Sequence, residues 1–190
     1  MSQVKKLGYI DWSGIIAQND MLEHEFLRLT IPAGSFGSTP NRNRQIMAQC
    51  YFYGTASGAP NFQARLRIGQ SGLAFGSLNP ILATQPFLIQ TGQFVPIRAR
   101  IASTEEVAGD TTTRIWTYVE EESRPNFLGT GDGTVVGQPM TFSSVFFSTY
   151  GRTIDATIAL DLVVTGQWSA APGGGQGVQG WAYKLELFEP

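Results

Sequence analysis

His24 is the chain's one histidine and Cys50 its one cysteine, and these two counts decide most of the chemistry open to it. A serine or cysteine nucleophile needs a base within hydrogen-bond reach and a third group to orient that base, so such a mechanism would have to rest on His24 alone. His24 stands between Glu23 and Glu25 at the start of an apolar alternation, where a hydrated edge position is expected. Cys50 can form no internal disulfide, and its place in an alternating apolar run is that of a small buried hydrophobe. The nearest approach to a metal site is Gly131-Asp132-Gly133 with Glu120-Glu121-Glu122 upstream, which fixes too few oxygen ligands for calcium. Gly129, Gly131 and Gly133 lack the following helix and the lysine of a phosphate-cradling loop. Glycoside cleavage requires two acids across a cleft, one with a raised pKa; Glu105-Glu106 and Glu120 to Glu122 are adjacent residues that point apart and stay hydrated. No catalytic residue, metal site or cofactor is expected, and the chain is not read as an enzyme.

The elements are written in a side-chain period of two. Ile158, Leu160, Leu162 and Val164 alternate with Ala159, Asp161, Val163 and Thr165, and beyond a glycine-rich loop at Gly173-Gly174-Gly175 stand Trp181, Tyr183, Leu185 and Leu187. These two runs are expected to pair as neighbouring strands. Leu27, Leu29 and Ile31 form an earlier strand closed by Pro32-Ala33-Gly34. From 44 to 53, Ile46, Ala48, Cys50 and Phe52 define one face and Gln45, Met47, Gln49, Tyr51 and Tyr53 the other. Phe62, Ala64, Leu66 and Ile68 then alternate with Gln63, Arg65 and Arg67, and this pair of runs is expected to form a hairpin with one wet face. Residues 69–93 read as a long connection holding one or two short strands. Val95 to Ile101 and 111–119 complete the set, with Trp116 and Tyr118 on the face opposite Ile115 and Val119. No window keeps apolar residues at helical spacing for three turns, and about eight antiparallel strands with long and short connections fit an all-β jelly-roll sandwich.

Composition narrows the partners. Thirteen Lys and Arg against fifteen Asp and Glu give a net charge of -2 with no basic block, which argues against nucleic acid. No stretch approaches the roughly 18 apolar residues of a membrane span, and the two early lysines are followed by no apolar run, so a cytoplasmically made, unprocessed chain is expected. A chain of 190 residues forms one sizeable core. Residues 1–21 read as an N-terminal docking arm and 22–190 as the sandwich domain. The arm carries Tyr9, Ile10, Trp12, Ile15 and Ile16, more apolar surface than a free tail would expose. Tyr51, Tyr53, Trp116 and Tyr118 lie opposite the expected core and are assigned to an oligomer interface, since aromatic residues are enriched there.

The run Phe26-Leu27-Arg28-Leu29-Thr30-Ile31-Pro32-Ala33-Gly34, the segment Ile154-Asp155-Ala156-Thr157 leading to Thr165-Gly166-Gln167, and the last strand to Leu187 together resemble a β-domain of structural proteins in tailed bacteriophages. There a strand closes on an I-P-A-G turn, and a second, opened by I-D-x-T, runs into a T-G-Q turn. The resemblance implies a jelly-roll virion protein made in the host bacterial cytoplasm: a capsid decoration or cement protein, a homotrimer on the major capsid protein or another virion structural protein. A tail or fibre component with a receptor-binding role is the alternative, and a carbohydrate-binding module the second. The absence of a coiled coil or repeated shaft favours the head.

Overall fold

A computed structural model of the chain describes residues 3–18, 20–36, 45–54, 61–83, 94–103, 113–120, 152–171 and 177–189. Ten strands are found among them: β1 (Gln3–Gln18), β2 (His24–Ile31), β3 (Gln45–Gly54), β4 (Phe62–Gln70), β5 (Asn79–Ala83), β6 (Phe94–Ser103), β7 (Thr113–Glu120), β8 (Arg152–Ile154), β9 (Leu160–Trp168) and β10 (Gly177–Glu189). One 3-10 turn, Phe75–Ser77, precedes β5. The strands form two antiparallel sheets, one in the order β1-β10-β3-β6-β7-β8 and the other β2-β9-β4-β5. The expected all-β sandwich is what the chain builds.

Period-two alternation becomes alternate burial. In β3 every second residue from Ile46 is buried and the residues between are half-buried; β4 repeats the pattern from Phe62. The inner faces share one core, in which Phe26, Phe52, Phe62 and Trp168 meet edge to face at centroid separations of 5.1 to 5.8 Å. That geometry sets the positive ring edges against the negative faces. The backbone makes room for the rings at Gly166, where a Cβ would stand 2.1 Å from Phe62 Cζ. β10 changes phase midway: Gly180 faces the core, Ala182 takes φ 48°, and Tyr183, Leu185 and Leu187 then point inward. Its register against β3 shifts between Trp181 and Lys184, as a bulge requires.

The pairing corrects three expectations. β9 and β10 are not partners: β9 lies between β2 and β4, and β10 between β1 and β3, in the opposite sheet. β3 and β4 are not a hairpin either, since β3 pairs with β10 and β6 while β4 pairs with β9 and β5. Alternation records which face of a strand is buried and is silent on whether the next strand lies beside it or across the core, about 10 Å away. Finally, residues 3–18 are not an arm apart from the domain. β1 is hydrogen-bonded to β10 from Gln3↔Glu189 to Gln18↔Gly177, and Leu7 and Ile10 pack on the core. Two register irregularities, between Lys6 and Gly8 and between Trp12 and Ile16, break its alternation and hide the strand from a period-two reading.

The chain winds as nested pairs, β1 with β10, β2 with β9, β3 with β6 and β4 with β5, and the β7–β8 pair extends one sheet at its far edge.

Candidate functional site

The residues singled out from the sequence come together only in part: Trp12 and Tyr51 stand in one cross-strand row of β1, β10 and β3 on either side of Trp181, and Trp116 and Tyr118 lie on β7 with side chains outside the described residues. Tyr9 is 44% exposed on β1, with Lys6 Nζ 4.6 Å from its ring centroid, whereas Ile10 turns to the core. Trp12 stands opposite Trp181 and Ile16 opposite Gln179 in the β1–β10 register; Ile15 shares that strand, and the side chains of all three lie outside the described residues. Tyr51 and Tyr53 are half-buried on the outer face of β3, aligned with Pro96 and Phe94 at the start of β6. Trp116 and Tyr118 align with Ala102 and Arg100 near the end of β6. The two aromatic pairs therefore lie on the two strands that flank β6 and align with its opposite ends, at least four residues or roughly 13 Å apart along it. Tyr53 instead meets Trp181, ring centroids 6.2 Å apart, and Trp181 Nε1 donates to Gln179 Oε1 at 3.1 Å.

His24 Nε2 lies 2.6 Å from Asp20 Oδ1, and Leu22 N donates to the same oxygen at 2.9 Å. Hydrogen bonding to His24 holds the Asp20 carboxyl below its ordinary range. Cys50 is buried, and burial pushes its thiol up to about 12, so little of it is thiolate near neutrality. Among the described residues no group of three His, Cys, Asp or Glu could hold a metal ion. Glu105, Glu106, Asp132 and the side chains of Glu120 to Glu122 lie outside the described residues.

The densest chemistry lies where the sequence reading placed only a wet face, on the outer side of the four-stranded sheet. β9 carries Asp161, Val163, Thr165 and Gln167 outward; β2 contributes Arg28 and Thr30, and β4 contributes Gln63, Arg65 and Arg67. Asp161 is only 3% exposed at its side chain and accepts four hydrogen bonds. They come from Arg28 Nη1 at 2.7 Å, Thr30 Oγ1 at 2.8 Å, Ser71 Oγ at 2.8 Å and Gly72 N at 3.0 Å. Burial opposes its charge, but the Gly72, Arg28, Thr30 and Ser71 donors together outweigh that and hold the carboxyl below its ordinary value. Arg28 also forks onto Glu25 at 2.8 and 2.6 Å and donates to the Leu73 carbonyl at 3.0 Å. The Glu25 bonds and the Asp161 contact raise its already high pKa against the opposing effect of burial.

A second knot forms around Glu23. Arg67 donates from Nε at 2.8 Å and Nη2 at 2.6 Å, Thr165 Oγ1 donates to Oε1, and Arg65 Nη1 lies 3.2 Å from Oε2. Burial again works against ionisation and is outweighed by Arg67, Thr165 and Arg65, so this carboxyl too sits low. Arg65 bridges Gln167 and Gln63, each at 2.6 Å, and Gln167 Nε2 donates to the Met21 carbonyl at 2.7 Å. Arg28 and Arg67 flank Val163 in register, and Val163 is fully buried at this outward-facing position. Carboxylates saturated with donors in this way are poor bases. Ser71 Oγ gives its hydrogen to Asp161, which is too weakly basic to activate it. One signal for this network stood in the sequence: an aspartate inside the apolar run 160–164, with arginines at matching outward positions of β2 and β4.

No protein-family model matches the chain, and neither the curated proteins nor the solved structures contain a match to it.

Proposed function

We propose that this chain is a non-enzymatic structural protein of a tailed-bacteriophage particle, a decoration or cement protein that binds the head lattice as a homotrimer. The observation that carries the reading is the meeting of the turn motifs on which the resemblance rests. Gly34 of the I-P-A-G turn, at φ 72°, donates its N–H to the carbonyl of Ala156, within the I-D-x-T segment, at 2.9 Å. Asp155 Oδ1 accepts from the Thr157 N–H and hydroxyl, closing the second turn. Motifs far apart in sequence thus act as one structural unit. The nested strand pairing supports reading the sandwich as a jelly roll with β7–β8 as an added pair. Tyr9, Tyr51, Tyr53 and Trp181 on the outer side of the six-stranded sheet supply the aromatic contact area that such a role needs.

Quantitative mass spectrometry of purified particles, with imaging of the particle, tests the proposal. Copy numbers in the hundreds and density on the head are the expected result. A handful of copies at one vertex or along the tail would move the chain to the tail or fibre reading, and absence from particles would overturn the virion role.

A further inference from the structure

Two stretches of non-strand chain lie against the outer side of the four-stranded sheet, and each is tied down through a carboxylate. The crossover 20–23, which carries the chain from β1 to β2, is held by Glu23 to Arg65, Arg67 and Thr165 and by the Met21 carbonyl to Gln167. The connection 71–78 between β4 and β5 is held by Ser71 and Gly72 to Asp161, by the Leu73 carbonyl to Arg28 and by the Leu78 carbonyl to Arg67. Both stretches present apolar side chains to solvent: Met21, the 68% exposed Leu22, and Leu73.

We propose that these two knots are acid-released clasps: protonation of Asp161 and Glu23 frees the crossover and the β4–β5 connection while the apolar core of the sandwich stays closed. The argument is one of charge against fixed arginine donors. An ionised carboxylate only accepts, and Asp161 Oδ2 meets two donors that cannot accept, the guanidinium of Arg28 and the Gly72 amide, while the hydroxyls of Thr30 and Ser71 donate to Oδ1. A proton on Asp161 removes the charge that strengthens the Arg28 and Gly72 bonds at Oδ2, and at Oδ1 the Thr30 and Ser71 hydroxyls must turn to receive it. Glu23 faces the guanidiniums of Arg65 and Arg67 from β4, which only donate, and the Thr165 hydroxyl from β9, with Asp20 and His24 beside it along the chain and Glu25 on the far side of Arg28. Protonating either carboxyl therefore weakens its charge-assisted bonds to arginine, whereas the core beneath contains apolar and aromatic side chains that do not titrate in acid.

The direction follows from the low-lying carboxyls. Each clasp is fully formed above the ordinary carboxylate range and is lost as the pH falls through the lowered folded-state value. Loss of the two knots is then a local opening rather than a global one.

The test is residue-resolved amide exchange by NMR on the intact chain, expressed as protection relative to the intrinsic rate at each pH. On acidification the Gly72 amide is expected to lose about tenfold or more in protection before Leu162 and Val164 in β9 lose any. The Arg67 Nε–H signal is expected to collapse toward that of a free guanidinium over the same range. D161N should show low Gly72 protection already at neutral pH with no further acid dependence, and E23Q should do the same at Arg67 while leaving Gly72 alone. If D161N does not fold, the wild-type series still decides. Gly72 protection that follows Leu162 and Val164 at every pH would overturn the proposal, as would an Arg67 signal unchanged down to global unfolding.

Discussion

At the scale of single residues, the most demanding position is one with no side chain. A Cβ on Gly166 would lie 2.1 and 2.7 Å from atoms of the Phe62 ring and 2.9 Å from that of Phe26, and those rings are wedged against Phe52 and Trp168. G166A is therefore expected to cost about 1 to 3 kcal/mol by overpacking, seen as a lower urea midpoint at unchanged slope. Gly76, with nothing within 4 Å of its Cβ position, is the control: G76A should stay within about 0.5 kcal/mol of the parent. A G166A midpoint equal to that of G76A would show that the ring cluster yields easily. Cys50 gives a second residue-scale expectation. With its thiol buried and pushed up to about 12, almost no thiolate exists at pH 8, so Ellman's reagent should leave the native protein unlabelled and react once denaturant opens it. Prompt labelling of the folded chain would place Cys50 at the surface. Its burial was legible in the sequence because its neighbours on the same face, Ala48 and Phe52, are apolar. The constraint on Gly166 was not, because Phe26 and Phe62 come from β2 and β4 and meet over it only once those strands flank β9 in the folded sheet.

At the scale of elements, strand positions and faces could be read from the sequence far better than strand partners. Ile46, Ala48, Cys50 and Phe52 face the core as their alternation requires, and the half-burial of Tyr51 and Tyr53 matches a face crowded with large side chains. β1 escaped because its two register shifts move apolar residues out of phase, so a strand 16 residues long reads as an apolar arm. β8, three residues long, carries too little sequence to show a period. The polar knots were invisible for a related reason: Glu23, Arg67 and Asp161 become neighbours only once β2, β9 and β4 are known to lie side by side. Membership of β1 in the sheet has a measurable consequence. Removing residues 1–18 strips β10 of one partner along its length, uncovers the core beneath Leu7 and Ile10, and bares Leu29, against which Gly8 closes. The loss should be at least about 3 kcal/mol, or a fall of roughly 6 to 12 °C in thermal midpoint for a chain of this size. A truncated protein melting at the parent temperature would return residues 1–18 to the status of a separate arm.

At the scale of the whole molecule, the sheets end in ways that discourage indiscriminate pairing. β1 carries Lys5 and Lys6 and two irregularities, β5 is short and contains Pro80, and β8 spans three residues. The nested order has a further consequence for assembly of the fold itself. β10, nearly the last segment of the chain, lies between β1, nearly the first, and β3, and it supplies Val178, Tyr183, Leu185 and Leu187 to the core. Tyr183 also donates its hydroxyl hydrogen to the Leu162 carbonyl of the opposite sheet at 3.2 Å. A chain ending at Ala171 thus lacks the strand that joins its earliest segment to the rest, and the six-stranded sheet splits into β1 alone and β3-β6-β7-β8. Four buried side chains lost at about 1.5 to 3 kcal/mol each remove roughly 6 to 12 kcal/mol, comparable to the entire stability of an ordinary domain. Residues 1–171 should therefore show no cooperative melt and no near-ultraviolet circular dichroism, and a peptide of residues 172–190 added in trans should restore both in part. A cooperative transition in the truncated chain alone would mean that the four-stranded sheet and its core stand without β10, and that the nested pairing is a late addition to the fold rather than its closure.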